Sequence, residues 1–291
     1  MEAAGEQTGT GTLEGLPPRS GYRRRTARLA GRVLDAALDC RQALLRTGAR
    51  IDELEARLPR LRVALLGVYG PAGTTTMAAA VKRAVASRHE VVVALGALAQ
   101  APEELQPLTR AEQMAGGRLA NLNRLAEAAD ARAADWVLLL DDDVAVGERF
   151  LDRLLALGER FRLQLLQPAL SQTSHTAWPI TRRRPTLLRQ TRFAEMGPVL
   201  MLHRDAFGAL APFPEQGMGW GICLHWAAEA RRRGWRIGIA DAVPVRHDLR
   251  PPAASYDREE ARAAAEALLS TREHIGWREA DQVLERYSRL S

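Results

Sequence analysis

Three consecutive acidic residues, Asp141, Asp142 and Asp143, directly follow the apolar run 136–140. Five apolar residues in a row predict a buried strand, and open α/β sheets bind ligands at the carboxyl ends of their strands. Alternation along the strand would place Asp141 and Asp143 on one face and Asp142 on the other. Two converging carboxylates favour a hard divalent cation, Mg²⁺ or Mn²⁺, which also binds phosphate oxygens. The alternative is a solvated acidic turn, but an apolar strand that delivers all three acids favours the metal site.

The segments around this triplet alternate between strand and helix patterns. Such alternation predicts a doubly wound α/β domain with a mostly parallel central sheet. The predicted strands lie at 63–69, 91–95, 136–140, 164–168, 197–202 and 235–240, and the predicted helices at 74–86, 118–134, 150–157, 223–233 and 259–269.

The first 60 residues precede this alternating pattern. Residues 1–24 contain few large apolar side chains, so we expect a disordered tail there. Residues 25–60 form a predicted helical extension, whose apolar stripe consists of Leu29, Val33, Ala37, Cys40 and Leu44. Arginines crowd the start of this helix, so it either packs on the domain or a partner helix, or makes peripheral contact with an anionic membrane. The packed arrangement is favoured.

The amino-acid composition argues against several classes of protein. The chain has 291 residues, 46% of them hydrophobic, which is typical of a globular protein. Two cysteines are too few for a disulfide framework, and no segment has the pattern of a secretory signal or a membrane span, so a cytoplasmic location is expected. The net charge of +6 argues weakly for nucleic acid, because 35 acidic residues are interspersed among the 41 basic ones. Nucleic acid is therefore not an expected partner.

One alternative is a degenerate phosphate-binding loop. The segment 70–75 follows the first predicted strand and contains two glycines, as the P-loop of an NTPase does. The P-loop pattern requires Lys where Thr74 stands and Gly where Val68 stands. The match therefore lacks the residue that carries the main charge on the phosphates.

The order and spacing of several motifs resemble the GT-A nucleotide-sugar glycosyltransferases, especially the family-2-like branch, over residues 62–248. The acidic triplet matches the D-x-D motif of that family, and the residues before it match a donor-binding segment. The later segments 197–205, 213–215, 220–223, 233–237 and 243–247 follow the family's order. The resemblance implies a GT-A, Rossmann-like domain at 61–250, followed by a C-terminal helical tail at 251–291.

The resemblance also implies an activity: metal-dependent, inverting transfer of a sugar from a nucleotide-sugar donor to the hydroxyl of an unknown acceptor. In such enzymes the first Asp of the motif usually contacts the ribose and the last binds Mn²⁺ or Mg²⁺. The metal ligands expected on this basis are Asp141, Asp143 and His247. The expected donor-binding residues are Tyr69, Gly70, Pro71, Arg118, Asn121, Asn123, Asp141 and Asp142.

The acceptor side offers weaker candidates. His175, Trp178 and Trp220 are candidate acceptor contacts, because aromatic faces commonly stack on sugars. The nearby basic stretch 181–192 either grips a diphosphate or forms a mobile, solvated loop, and its proline favours the loop.

The general base departs from the family pattern. Cys223 stands where the family has a carboxylate, and a thiol with a pKa near ~8.5 is a poor base in this role. Glu195 is the preferred replacement, since it directly precedes a strand expected to border the acceptor. Glu215 and His225 are alternatives. The chain could instead be a catalytically impaired protein of the same fold that binds nucleotide sugars or a partner.

Overall fold

The computed structural model describes residues 25–215, 219–250 and 257–290. The predicted disordered tail at 1–24 lies outside these residues. The helices are α1 (Arg25–Leu44), α2 (Thr47–Glu55), α3 (Thr74–Val85), α4 (Arg118–Ala128), α5 (Phe150–Phe161), α6 (Arg204–Leu210), α7 (Ile222–Arg233), α8 (Arg258–Ser270) and α9 (Trp277–Ala280). The strands are β1 (Arg62–Tyr69), β2 (Glu90–Ala97), β3 (Thr109–Ala111), β4 (Trp136–Asp141), β5 (Leu165–Leu170), β6 (Leu188–Thr191), β7 (Val199–His203), β8 (Ile237–Val245) and β9 (Val283–Tyr287).

Nine strands in the described ranges form one sheet, in the order β3-β2-β1-β4-β7-β5-β8-β6-β9. Seven of them run in the same direction, and β6 and β7 run against them. The prediction of a mostly parallel α/β sheet is therefore confirmed. Because β7 is antiparallel to β4, the chain enters β7 at the edge where β4 ends. The segment before β7 thus lies beside the acidic triplet.

The central strands of the sheet are buried on both faces, which explains why their sequences are almost continuously apolar. In β1, Val63 and Leu65 point into one hydrophobic cluster, whereas Ala64 and Leu66 point into the other. Helices α3 and α5 contribute to the first cluster, and α4 and α7 to the second. This sandwich of helices fixes the carboxyl ends of β1 and β4 side by side.

The N-terminal helices attach to the domain through apolar and polar contacts. Ile51 of α2 is fully buried in the first hydrophobic cluster, and Leu38 of α1 is buried as well. In α2, Asp52 accepts two hydrogen bonds from Arg153 of α5, at 2.9 and 3.0 Å. In α1, Asp35 accepts the backbone N–H of Gln172, and Gln42 donates to the carbonyl of Asp241 at 3.1 Å.

The predicted apolar stripe of α1 does not face the domain. Leu29, Val33 and Leu44 are 65%, 63% and 85% exposed, and Ala37 and Cys40 are exposed as well. The helix packs on the domain through its other side, which carries Asp35, Leu38 and Gln42. The stripe itself does not meet the domain, and its packing on a partner helix stays a prediction. None of the helices in the described ranges has the length and apolarity needed to cross a bilayer.

The basic stretch 181–192 differs from the predicted solvated loop. Arg189 is buried and forms an ion pair with the fully buried Asp241, with Nε 2.8 Å from Oδ2. Asp241 also accepts the backbone N–H of Arg184 at 2.7 Å and the hydroxyl of Thr186. Arg183 is buried too and contacts Asp39 of α1 at 2.7 Å. These arginines join β6, β8 and α1, so neither the predicted loop nor a diphosphate grip describes them.

The region after residue 250 is also more than a helical tail. It contains α8 and α9, and then β9 pairs antiparallel with β6 at the edge of the sheet.

Candidate functional site

Asp141 is the last residue of β4 and lies at the junction of two segments. Its backbone N–H donates to the carbonyl of Pro198 at 2.9 Å, which ties the end of β4 to the start of β7. Its carboxylate forms an ion pair with Arg118 at the start of α4. Burial raises the pKa of Asp141, and the nearby Arg118 charge opposes this effect. The arrangement leaves a carboxylate at the carboxyl edge with one cationic neighbour.

Asp142 turns toward the loop that follows β1. Its Oδ2 accepts the backbone N–H of Gly70 at 2.8 Å, and its Oδ1 pairs with Arg250. The loop approaches so closely that a Cβ on Gly73 would lie 2.0 Å from Oδ2 of Asp142. Glycine is therefore required at position 73. Asp142 shapes the loop in which Gly70 and Pro71 were predicted to contact the donor.

Asp143 and His247 form the most informative pair in the site. Nε2 of His247 lies 3.3 Å from Oδ1 of Asp143, although the two residues are distant in sequence. Nδ1 of His247 lies 3.2 Å from the carbonyl oxygen of His175. A carbonyl can only accept, so Nδ1 carries a proton, and Nε2 is the nitrogen that faces Asp143. Without a metal ion, Nε2 also carries a proton and donates it to the Asp143 carboxylate; loss of that proton would free a lone pair at the same position. Metal-binding histidines are commonly oriented in this way.

The charges around this pair favour ionised groups. Burial would raise the pKa of Asp143, but its contacts with His247 and Arg250 outweigh burial and lower it. Burial would lower the pKa of His247, but Asp143 and Asp141 outweigh burial and raise it. Nε of Arg250 lies 3.5 Å from Asp143. Without a metal ion, cationic side chains thus neutralise the carboxylates that a divalent cation would bind.

Glu195 lies in the segment before β7, close enough to Asp141, Arg118 and His247 for their charges to affect its ionisation. Burial raises the pKa of Glu195 to about 7; the His247 charge opposes this increase and the Asp141 charge adds to it. Its backbone N–H donates to Oε1 of the fully buried Gln167 at 2.8 Å. A carboxyl with a pKa near neutral can exchange a proton at physiological pH, as a general base must.

Cys223 is buried beneath this segment. Its Sγ accepts the backbone N–H of Met196 at 3.1 Å, and burial raises the pKa of the thiol to about 12. Such a thiol stays protonated near neutral pH and cannot serve as a base. The alternative base Glu215 is exposed, and Nδ1 of His225 contacts the carbonyl of Glu273 at 2.8 Å, in the loop that follows α8.

Several predicted donor contacts have structural partners instead. The buried Tyr69 hydroxyl contacts the Thr109 hydroxyl at 2.8 Å, so its ring belongs to the core. The Asn123 side chain exchanges two hydrogen bonds of 2.8 Å with the backbone of Phe213. Both side chains thus have structural contacts within the domain, and the donor role predicted for Tyr69 and Asn123 stays a prediction. Asn121 is buried in α4.

The predicted acceptor residues occupy different positions. His175 lies beside the Asp143–His247 pair, with its ring centroid 6.5 Å from that of His247. Trp178 packs on Phe193, with ring centroids 4.5 Å apart, and so supports the segment that carries Glu195. Trp220 is partly buried in the turn before α7.

Sequence reasoning missed two residues of the site. Arg250 follows His247 by three positions, and its only signal was a basic residue just after the last predicted strand. Gln167 lies in the predicted strand 164–168, and the sequence indicated no role for it in the site. The tertiary structure gives both residues contacts, with Asp142 and Glu195 respectively.

A second acidic cluster contains Glu55, His89 and Asp152, all buried, whose ligand atoms lie within 4.8 Å of one another. Here the backbone N–H of Leu61 donates to Nδ1 of His89 at 3.1 Å, so Nε2 carries the proton and points at Glu55. Arg149 contacts both acids, at 2.8 Å to Glu55 and 3.5 Å to Asp152. A protonated Nε2 cannot bind a metal ion, and the charges are already paired. This cluster is an ion-pair network at the end of the sheet opposite the triplet.

No family model matches the chain, and no curated protein matches it. Among solved structures, the chain is similar to the mannosyltransferase PcManGT from Pyrobaculum calidifontis in complex with GDP-Man and Mn²⁺. The two share 13% identity over 88% of this chain and 79% of that chain, with a TM-score of 0.53. The chain is also similar to GalNAc-T7 with UDP, GalNAc and Mn²⁺, with 14% identity, a TM-score of 0.50, and coverage of 65% of this chain but only 44% of that one. At these identities the likeness shows the fold, and the predicted GT-A fold is confirmed.

Proposed function

We propose that the chain is a metal-dependent glycosyltransferase that transfers a sugar from a nucleotide-sugar donor to an acceptor hydroxyl, with inversion. One observation carries the proposal: at the carboxyl edge of the sheet, Nε2 of His247 lies 3.3 Å from Oδ1 of Asp143, and Glu195, with a pKa of about 7, lies within electrostatic reach of that histidine. The GT-A fold supports it, because both similar structures contain Mn²⁺ with a nucleotide or a nucleotide sugar.

The residues present fit a divalent cation. Asp143 and His247 would hold it, with Asp141 completing the set, and carboxylate and imidazole ligands suit Mn²⁺ and tolerate Mg²⁺. When bound, the cation would act as a Lewis acid that stabilises the charge of the departing diphosphate. The cationic side chains Arg118 and Arg250 pair with Asp141 and Asp142, so they lie where diphosphate oxygens would also find partners.

Glu195 would act on the acceptor. As the acceptor oxygen forms its bond to the anomeric carbon, the carboxylate takes the hydroxyl proton. The bond between that carbon and the diphosphate breaks in the same displacement, and the nucleoside diphosphate leaves with the electron pair. A single displacement inverts the anomeric centre. Because Glu195 supplies the carboxylate, Cys223 no longer argues for an impaired binding protein.

Calorimetric titration with UDP- and GDP-sugars, with and without Mn²⁺, tests the proposal. We expect donor binding to require Mn²⁺, and Asp143→Asn to weaken it by at least about tenfold through loss of a charged ligand. Asp205→Asn is the matched control, because Asp205 is an exposed acid at the start of α6. Equal donor binding in the presence of a chelator, or an equal effect of both variants, would contradict the proposal.

A further inference from the structure

The outer surface of α1 is apolar without interruption. Helical residues advance by about 100° each, and the residues that face the domain recur at 31, 35, 38 and 42. The opposite face, here called the outer face, consists of Leu29, Val33, Ala36, Ala37, Cys40, Ala43 and Leu44, and all seven residues are exposed. An ordinary surface helix points its apolar stripe inward. Here the stripe points away from the only core available in the described part of the chain.

The edges of the outer face are basic. On the helical wheel, Arg28 and Arg32 border one side and Arg41 borders the other, and Arg46 and Arg50 follow on the exposed surface at the start of α2. Asp39 is the one clearly exposed acid among the described side chains at 28–50, and it already contacts Arg183. A second copy of this face would bring like charges together, so its charge complements an anionic partner.

We propose that the outer face of α1 binds the surface of an anionic lipid bilayer. The apolar stripe would enter the boundary between headgroups and acyl chains, and the flanking arginines would reach lipid phosphates. The helix lies near the candidate site, because Asp35 of α1 accepts the backbone N–H of Gln172, three residues before His175. Binding would therefore hold the His175 edge of the site close to the membrane.

Co-sedimentation of the full chain with vesicles tests this proposal independently of sugar transfer. One set of vesicles contains phosphatidylcholine alone, and the other contains equal parts of phosphatidylcholine and phosphatidylglycerol. We expect the chain to bind the anionic vesicles and Leu29→Glu/Val33→Glu to reduce that binding by at least about tenfold. Arg32→Gln/Arg41→Gln should reduce it severalfold, and added salt should mimic this loss.

The controls separate lipid binding from folding and self-association. Val85→Glu places the same charge on an exposed apolar residue of α3, and should leave vesicle binding unchanged. Thermal unfolding establishes that each variant is folded, since none of the replaced side chains is buried. The proposal is overturned if the folded chain stays in the supernatant with anionic vesicles or binds both vesicle types equally. It is also overturned if sedimentation velocity shows a dimer that Leu29→Glu/Val33→Glu dissociates, without any vesicle binding.

Discussion

Replacing Glu195 with Gln should lower activity while raising stability at alkaline pH. Gln keeps the shape of the side chain but cannot take a proton from the acceptor. Loss of a general base commonly reduces turnover by about 10²–10⁴-fold. Binding of the donor should be almost unchanged, because the proposed metal ligands Asp143 and His247 remain in place.

The effect on stability follows from the pKa of Glu195, which burial raises from 4.5 to about 7. A raised pKa means that ionisation of this carboxyl costs the folded state free energy, so stability falls as the pH rises from 4.5 toward 7. Fully developed, the cost is at most about 3 kcal/mol, and access of solvent to the carboxyl reduces it. Glu195→Gln should therefore raise the melting temperature by up to about 6 °C at pH 8 and by almost nothing at pH 4.

Two measurements check this reasoning: initial rates over a pH series, and thermal unfolding at pH 4 and 8. The wild-type rate should rise with pH and then level off, with the midpoint of the rise at or below about 7. A bound cation adds positive charge, which favours the ionised carboxyl and lowers this midpoint. Glu215→Gln, at an exposed acid, is the matched control and should change neither quantity. Unchanged turnover in Glu195→Gln would remove Glu195 from the mechanism, and an unchanged melting temperature at pH 8 would refute the pKa argument.

Three further predictions concern other parts of the fold. Asp241→Ala leaves the buried guanidinium of Arg189 uncompensated and should cost about 3–5 kcal/mol in urea unfolding. Glu273→Ala is the control and should cost less than about 1 kcal/mol, because Glu273 and its partner Arg231 are 57% and 44% exposed. Gly73→Ala would force the loop away from Asp142 and should weaken donor binding measured by calorimetry. An unchanged midpoint of urea unfolding would show that the fold as a whole is intact. His247→Ala should weaken Mn²⁺ binding by at least about tenfold in a direct titration, and equal Mn²⁺ affinity would exclude it as a ligand.

The central strands could be predicted because their burial is encoded in the local sequence. Five apolar residues before Asp141 give a fully buried β4, and the same signal marks β1 and β2. Strands β6 and β9 were missed, because the short sequences 188–191 and 283–287 lack a continuous apolar run. They become strands by pairing with distant segments: β6 with β8 and β9, and β9 with β6 at the edge of the sheet. The local sequence predicts such strands only weakly, so tertiary contacts determine whether they form.

The candidate site likewise has a part that the sequence predicted and a part that depends on tertiary contacts. The acidic triplet follows from a local pattern, but the tautomer of His247 depends on the carbonyl of His175, which no pattern reveals. For the outer face of α1, the local pattern was recognised but its orientation was not. Periodicity correctly identified its apolar stripe, but periodicity contains no information about which side of a helix meets the domain. That choice depends on Asp35 and Gln42, whose partners lie more than a hundred residues away.

The hydrogen bond from Asp141 to the carbonyl of Pro198 closes a long excursion of the chain, from 142 to 197, at its base. The loops within that excursion that carry neither Asp143 nor Glu195 could change in length or sequence while its two ends keep their spacing. Evolution or an engineer could therefore alter those loops without changing the separation between the proposed metal ligands and Glu195. The sheet holds this separation constant while the surrounding loops vary.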